Sequence, residues 1–170
     1  MFSPIARLPG FDSPIEMLLA CHDKVRRFAG LCPRLEQHAA LHGADEEARA
    51  AAASVLRYFQ LAAPLHHADE EEDLFPALRE LGDASLTARI DELDAEHGHL
   101  GELWYCVQPW LEAMSQGARH PAPPELGAFA TLYPEHASRE EREVYPAAVR
   151  LSPDRLAGIG QRMAQRRGAR

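Results

Sequence analysis

At 170 residues, 46% of them hydrophobic and 26% charged with both signs spread along the chain, the composition is that of one domain with enough apolar material for a core. The formal net charge of −8 excludes a general phosphate-backbone binder, which needs a basic stripe to displace counterions, so no nucleic acid partner is expected. No segment approaches the ~18 uninterrupted apolar residues of a membrane helix, and Met1 to Pro14 lacks the charged region and apolar run of an export signal, so no membrane association is expected either.

Strand signals are nearly absent, while Ala, Leu, Glu and Arg dominate and apolar residues recur every three or four positions, so the fold class is all-α. Residues 1–12 read as an N-terminal extension. The first helix begins at Ser13-Pro14-Ile15-Glu16, a capping box with proline at the first helical position, and runs to about residue 40, before Gly43. Cys21 and Cys32 fall on it about 16 Å apart, too far to bridge. With Cys106 they make an odd number without CxxC spacing, which predicts small core residues in a reducing cytoplasm. The second helix spans about 45–81 and stops at Gly82, the third about 85–116 before Gly117, and the stretch Ala118 to Pro124 is a loop. The fourth covers about 125–151. These four make a bundle domain over 13–152, followed by a basic tail, 153–170. There Arg162, Arg166, Arg167 and Arg170 sit among Gly, Ala and Gln, so a solvated, partly frayed segment is expected. Pro33, Pro64, Pro76, Pro109, Pro134 and Pro146 fall inside helical segments and should kink or interrupt them.

Two of those prolines recur in register. The stretch from Pro64 to Ala77 (PLHHADEEEDLFPA) lies over Pro134 to Ala147 (PEHASREEREVYPA), with proline, His, Glu-Glu, an aliphatic, an aromatic, proline and alanine all matching. A weaker echo links Leu18 to His22 with Leu93 to His97, so the chain reads as two helical hairpins of one design. Four residues advance a helix by about 400°, which puts His66 and Glu70 on one face a turn apart, and likewise His136 and Glu140. That face is otherwise apolar, carrying Leu56, Phe59, Ala63, Leu74 and Ala77 in the second helix and Phe129, Leu132 or Tyr133, Val144 and Ala147 in the fourth. The first and third helices present Ile15, Leu18, His22 and Val25, and Ile90, Leu93, His97 and Leu100. Carboxylates and imidazoles on inward stripes need compensation, and a divalent metal pair held by His66, Glu70, His136 and Glu140 supplies it.

The repeated motif resembles that of the hemerythrin-like HHE cation-binding domains: His, three residues on Glu-Glu, then two residues and an aliphatic-aromatic-Pro, present as His66 to Pro76 and His136 to Pro146. The resemblance covers roughly Pro14 to Leu151. It implies an up-down-up-down four-helix bundle with two irons, oxo- or hydroxo-bridged, and it adds His22 and His97 as ligands. One position departs from the oxygen carriers of the family: four residues after His97 stands Gly101 rather than a second His, which predicts an open position there or a substitute residue such as His67. His67 and Glu71 form a competing pair rotated by about 100°, but the counterpart of His67 in the repeat is Ala137. Glu71 and Glu141 are expected to hydrogen-bond or face solvent, and His99, His38, His42 and His120 to lie outside the centre. Tyr133 is read chiefly as core.

Three functions are compatible with such a centre. The first is binding or sensing of oxygen, nitric oxide, peroxide or redox state, with a separate protein partner receiving the signal through the outer faces or the basic tail; exposed faces such as Trp104 and Trp110 are the candidates for a homodimer contact. The second is a small di-iron peroxidase or oxidase, or a nitric-oxide-stress repair enzyme. The third is an iron-buffering or structural bundle. Imidazole and carboxylate also suit zinc, so iron rests on the resemblance.

Overall fold

A computed structural model describes residues 10–169. The expected extension at 1–12 therefore lies mostly outside the described residues, as does Arg170. Helix α1 is Pro14–His42, α3 is Ala84–Ser115, α4 is Leu126–Glu143 and α5 is Pro153–Arg166. Helix α2 runs over 46–79 and is interrupted by two wider π turns, Tyr58–Ala62 and Glu70–Leu74. Among the described residues there is no strand, and none of the helices is long and apolar enough to cross a membrane.

Gly43, Gly82 and Gly117, all at positive φ, end the first three helices as the sequence predicts. Prolines disturb them less than expected. Pro33, Pro109 and Pro134 sit within unbroken helices, whereas Pro64 and Pro76 each follow a π turn. A proline ring crowds the carbonyl four residues back and offers no N–H, and a turn widened just before it relieves both problems. The equivalent Pro146 is handled differently: α4 stops at Glu143 and the chain tightens into a 3₁₀ turn, Tyr145–Arg150, so helix four is shorter than predicted. The capping box at the start of α1 is also not formed. Ser13 occupies the N-cap, but at ψ 71 it is away from the extended conformation that aims the hydroxyl at the first amides, and it makes no side-chain cap bond.

Helices α1 and α3 each pack on both α2 and α4, closing a four-helix ring. The core is in two apolar blocks. Along α1 and α3 the order is Leu18, His22, Val25 and Leu93, His97, Leu100; along α2 and α4 it reverses, from Phe59 and Phe129 through His66 and His136 to Leu74 and Val144. Alternating direction thus brings the His and Glu of all four helices to one polar level between the blocks. Trp110 is 5% exposed, and Trp104 packs on Phe59 and Phe129, so these rings are core rather than the docking faces anticipated from sequence. Cys32 is buried, but Cys106 is exposed and Cys21 only half-buried.

The basic tail is not a frayed segment. Ser152 caps α5 by accepting from the Arg155 amide, and Ile159 and Met163 are buried against Leu74, Leu78 and Tyr145. Gly160 lets the helix close on the backbone of Phe11, where a Cβ would collide with its carbonyl oxygen. On the same side Arg166 and Arg167 reach Asp69, which is fully buried, at 2.6 Å each, and Arg166 also reaches Asp73 at 2.9 Å. The arginines were read as solvated because their partners lie nearly a hundred residues away. Replacing Arg166 and Arg167 by alanine would leave Asp69 buried and unpaired, at a cost of about 3 kcal/mol. In a chain of this size that lowers the melting temperature by about 10 °C, which thermal unfolding followed by circular dichroism will measure.

Candidate metal centre

Helix α1 contributes His22, α2 His66 and Glu70, α3 His97, and α4 His136 and Glu140, all buried. Glu140 lies at the middle, with one oxygen 3.1 Å from His22 Nε2 and the other 3.1 Å from His136 Nε2 and 3.5 Å from His97 Nε2. Glu70 approaches His66 and His97 Nε2 at 3.6 Å and His22 Nε2 at 3.9 Å. Two sets of close, buried ligand atoms result: His22, His66, Glu70 and Glu140 on one side, and His97, His136 and Glu140 on the other. All six predicted residues are therefore brought together.

Outside this ring a second layer aims the imidazoles. His22 Nδ1 donates to Glu141 at 2.9 Å, His97 Nδ1 to Glu71 at 2.6 Å and His136 Nδ1 to Glu96 at 2.9 Å. Each bond orients its ring so that Nε2 points at the centre, where it can serve a cation in the neutral form. Arg26 holds Glu141 at 2.8 Å and Arg139 holds Glu96 in turn. The second glutamate of each Glu-Glu pair thus serves the histidine of a neighbouring helix, a role that follows the repeat. Loss of such a carboxylate typically weakens metal binding by about 10–100-fold. Glu141→Ala is expected to fall in that range, by chelator competition against the unaltered chain.

The repeat is broken at one position that matters. Phe75 lies over the His97 ring, but its counterpart Tyr145 carries a hydroxyl that donates to Glu70 and lies 3.2 Å from His22 Nε2. The 3₁₀ turn after α4 delivers this fully enclosed phenol to the centre.

Electrostatics sort the two carboxyls. Burial, then the proximity of Glu140, pushes Glu70 well above the usual carboxylate range. Burial acts the same way on Glu140, but the imidazoles of His136, His22 and His97 outweigh it and hold Glu140 well below that range. In a dry interior two adjacent carboxylates do not both ionise, so in the metal-free chain the proton sits on Glu70 and the charge on Glu140. Burial, followed by repulsion from His22, keeps His66 neutral. Even so, beyond the 3.1–3.5 Å approaches between Glu140 and the imidazoles, Glu70 Oε2, both Glu140 carboxylate oxygens, His97 Nε2 and His136 Nε2 are buried with no well-aligned hydrogen bond. Five such atoms around one point are costly unless a cation takes their lone pairs, and imidazole nitrogen with carboxylate oxygen is a donor set for Fe or Zn.

A family model, hemerythrin HHE cation binding domain, matches residues 13–148. The chain belongs to the hemerythrin HHE cation-binding family. It is also 36% identical over 158 residues to a protein of Haemophilus influenzae described as uncharacterized, a match covering 92% of this chain and 91% of that one. Family membership implies cation binding, and the His/Glu cluster of this hemerythrin-like chain is able to hold a metal ion.

Gly101 is exposed, and a side chain there would meet nothing within 4 Å, so the space beside it is open. Its neighbour Leu100 is buried in the core. His67 stacks on His97 at 3.9 Å with its Nε2 3.4 Å from the Tyr133 hydroxyl, beside the centre and within ligand distance of Glu71 and His97. His99, His42 and His120 are exposed, and His38 pairs with Asp45 away from the centre. Tyr145 and Glu96 were missed. The only sequence signal for the first was the hydroxyl added to the repeated aromatic, and for the second its place beside His97, where the first hairpin has Cys21.

Proposed function

We propose that this chain is a non-haem di-iron protein that binds or senses a small molecule such as oxygen, nitric oxide or peroxide, with His22, His66, Glu70, His97, His136 and Glu140 as ligands. The five ligand atoms that converge from facing helices with no well-aligned hydrogen bond carry this reading. When bound, the irons would supply reversible ligand binding and redox chemistry. The chain's own part is to fix the imidazoles through Glu141, Glu71 and Glu96, to share Glu140 between both sides, and to exclude water with the apolar blocks above and below. Tyr145 holds Glu70 in place.

The carboxyl of Glu70 must release its proton to bind metal, whereas His66 is already neutral. Apparent affinity is therefore expected to rise with pH, with proton release on loading, as chelator competition at a lower and a higher pH will show. The decisive experiment is metal content per chain on anaerobically purified protein, then an absorption spectrum before and after air. About two irons per chain with a new near-ultraviolet or visible band support the proposal. Zinc, or no metal, would leave a structural bundle and remove the redox reading.

A further inference from the structure

The two sides of the centre differ in how they are closed. On the His22 side, four ligand groups and the Tyr145 hydroxyl occupy the space, with His22 1% and His66 2% exposed. The other side has three groups and the more exposed imidazoles, His136 at 4% and His97 at 7%, and its nearest phenol, Tyr133, reaches His67 rather than a ligand atom. A cavity of about 240 Å³ between α3 and α4 abuts that second side, and His136 forms part of its wall. Leu100 and Leu132 supply its apolar lining, while Glu96, Glu135 and Arg139 surround it with more negative than positive charge. Larger cavities, such as one of about 630 Å³ between α1 and α2 near Leu61, touch none of the six candidate ligands.

We propose that a small neutral molecule reaches the centre through this α3–α4 cavity and binds on the His97/His136 side, with Tyr145 closing the opposite side. The inference rests on the metal-binding reading above. A cavity of this volume, with Leu100 and Leu132 beside His136 under an acidic rim, suits a small neutral ligand and disfavours an anion. Leu132 is the half-buried residue of its wall at which the cavity can be narrowed without replacing a candidate ligand.

The test uses the full chain, loaded anaerobically with ferrous iron and mixed with nitric oxide in a stopped-flow instrument, with metal content assayed on the same samples. Leu132→Trp is expected to slow association by about tenfold, whereas Leu61→Trp in the α1–α2 cavity leaves it within about twofold. Leu132→Ala, which opens the passage and keeps the fold if tryptophan does not fit, is expected to speed it. Iron-loaded variants whose rates match the unaltered chain at both Leu132 substitutions would overturn this route while leaving metal binding intact. A chain that takes up no metal would overturn both readings.

Discussion

The double variant His136→Ala/Glu140→Ala is expected to lose metal from both sides of the centre, falling from about two ions per chain to well below one. His136 belongs to one side only, but Glu140 lies within ligand distance on both, 3.1 Å from His22 and 3.5 Å from His97. Removing the two leaves His97 with only Glu70, 3.6 Å away and shared with His22 and His66, so neither side keeps a full donor set. The substitution also removes a buried charge together with its main imidazole partner, a gentler change than stranding one of them, so the bundle should still fold. Elemental analysis after purification, with helicity measured in parallel, gives the answer. Retention of both ions by a folded double variant would sink the assignment, and His99→Ala, at an exposed position on the same helix as His97, should change nothing.

Removing metal from the unaltered chain should lower its melting temperature by about 8–16 °C. A ligand present at about a thousand times its dissociation constant stabilises the folded state by about 4 kcal/mol, and in a chain of this length each kcal/mol moves the midpoint by about 2–4 °C. The physical source is the set of buried oxygens and nitrogens that have no well-aligned hydrogen bond. Chelation followed by a thermal scan measures the drop. Re-addition of ferrous iron or zinc to separate samples tests which ion restores it. Recovery with zinc alone would favour a structural site over a redox one, and a midpoint indifferent to chelation would mean that no cation fills the cluster.

Much of this architecture was legible before any coordinates because it is written in local periodicity. His66 with Glu70 and His136 with Glu140 share helical faces with core residues by geometry alone, and two copies of one motif told which of the competing pairs, His66–Glu70 or His67–Glu71, faces inward. Prolines were misread because a helix can absorb one by widening a turn, as at Tyr58–Ala62 and Glu70–Leu74, and the sequence carries no mark of that choice.

What the sequence by itself determined was therefore the helical class, the four stripes and the residues on them, since spacing along one helix fixes direction without reference to any other element. Tertiary structure alone decided everything that depends on distance between helices. Antiparallel packing aligned the four polar levels; the carboxylates of Glu141, Glu71 and Glu96 found histidines 26 to 119 positions away; and Arg166 and Arg167 turned from a supposed solvated tail into the partners of buried Asp69. Gly101 and Tyr145 make the same point in opposite directions. One stands where the family's oxygen carriers have a ligand and has open space beside it, and the other looks like a core aromatic yet ends on Glu70, because the 3₁₀ turn after the fourth helix settles where that side chain arrives.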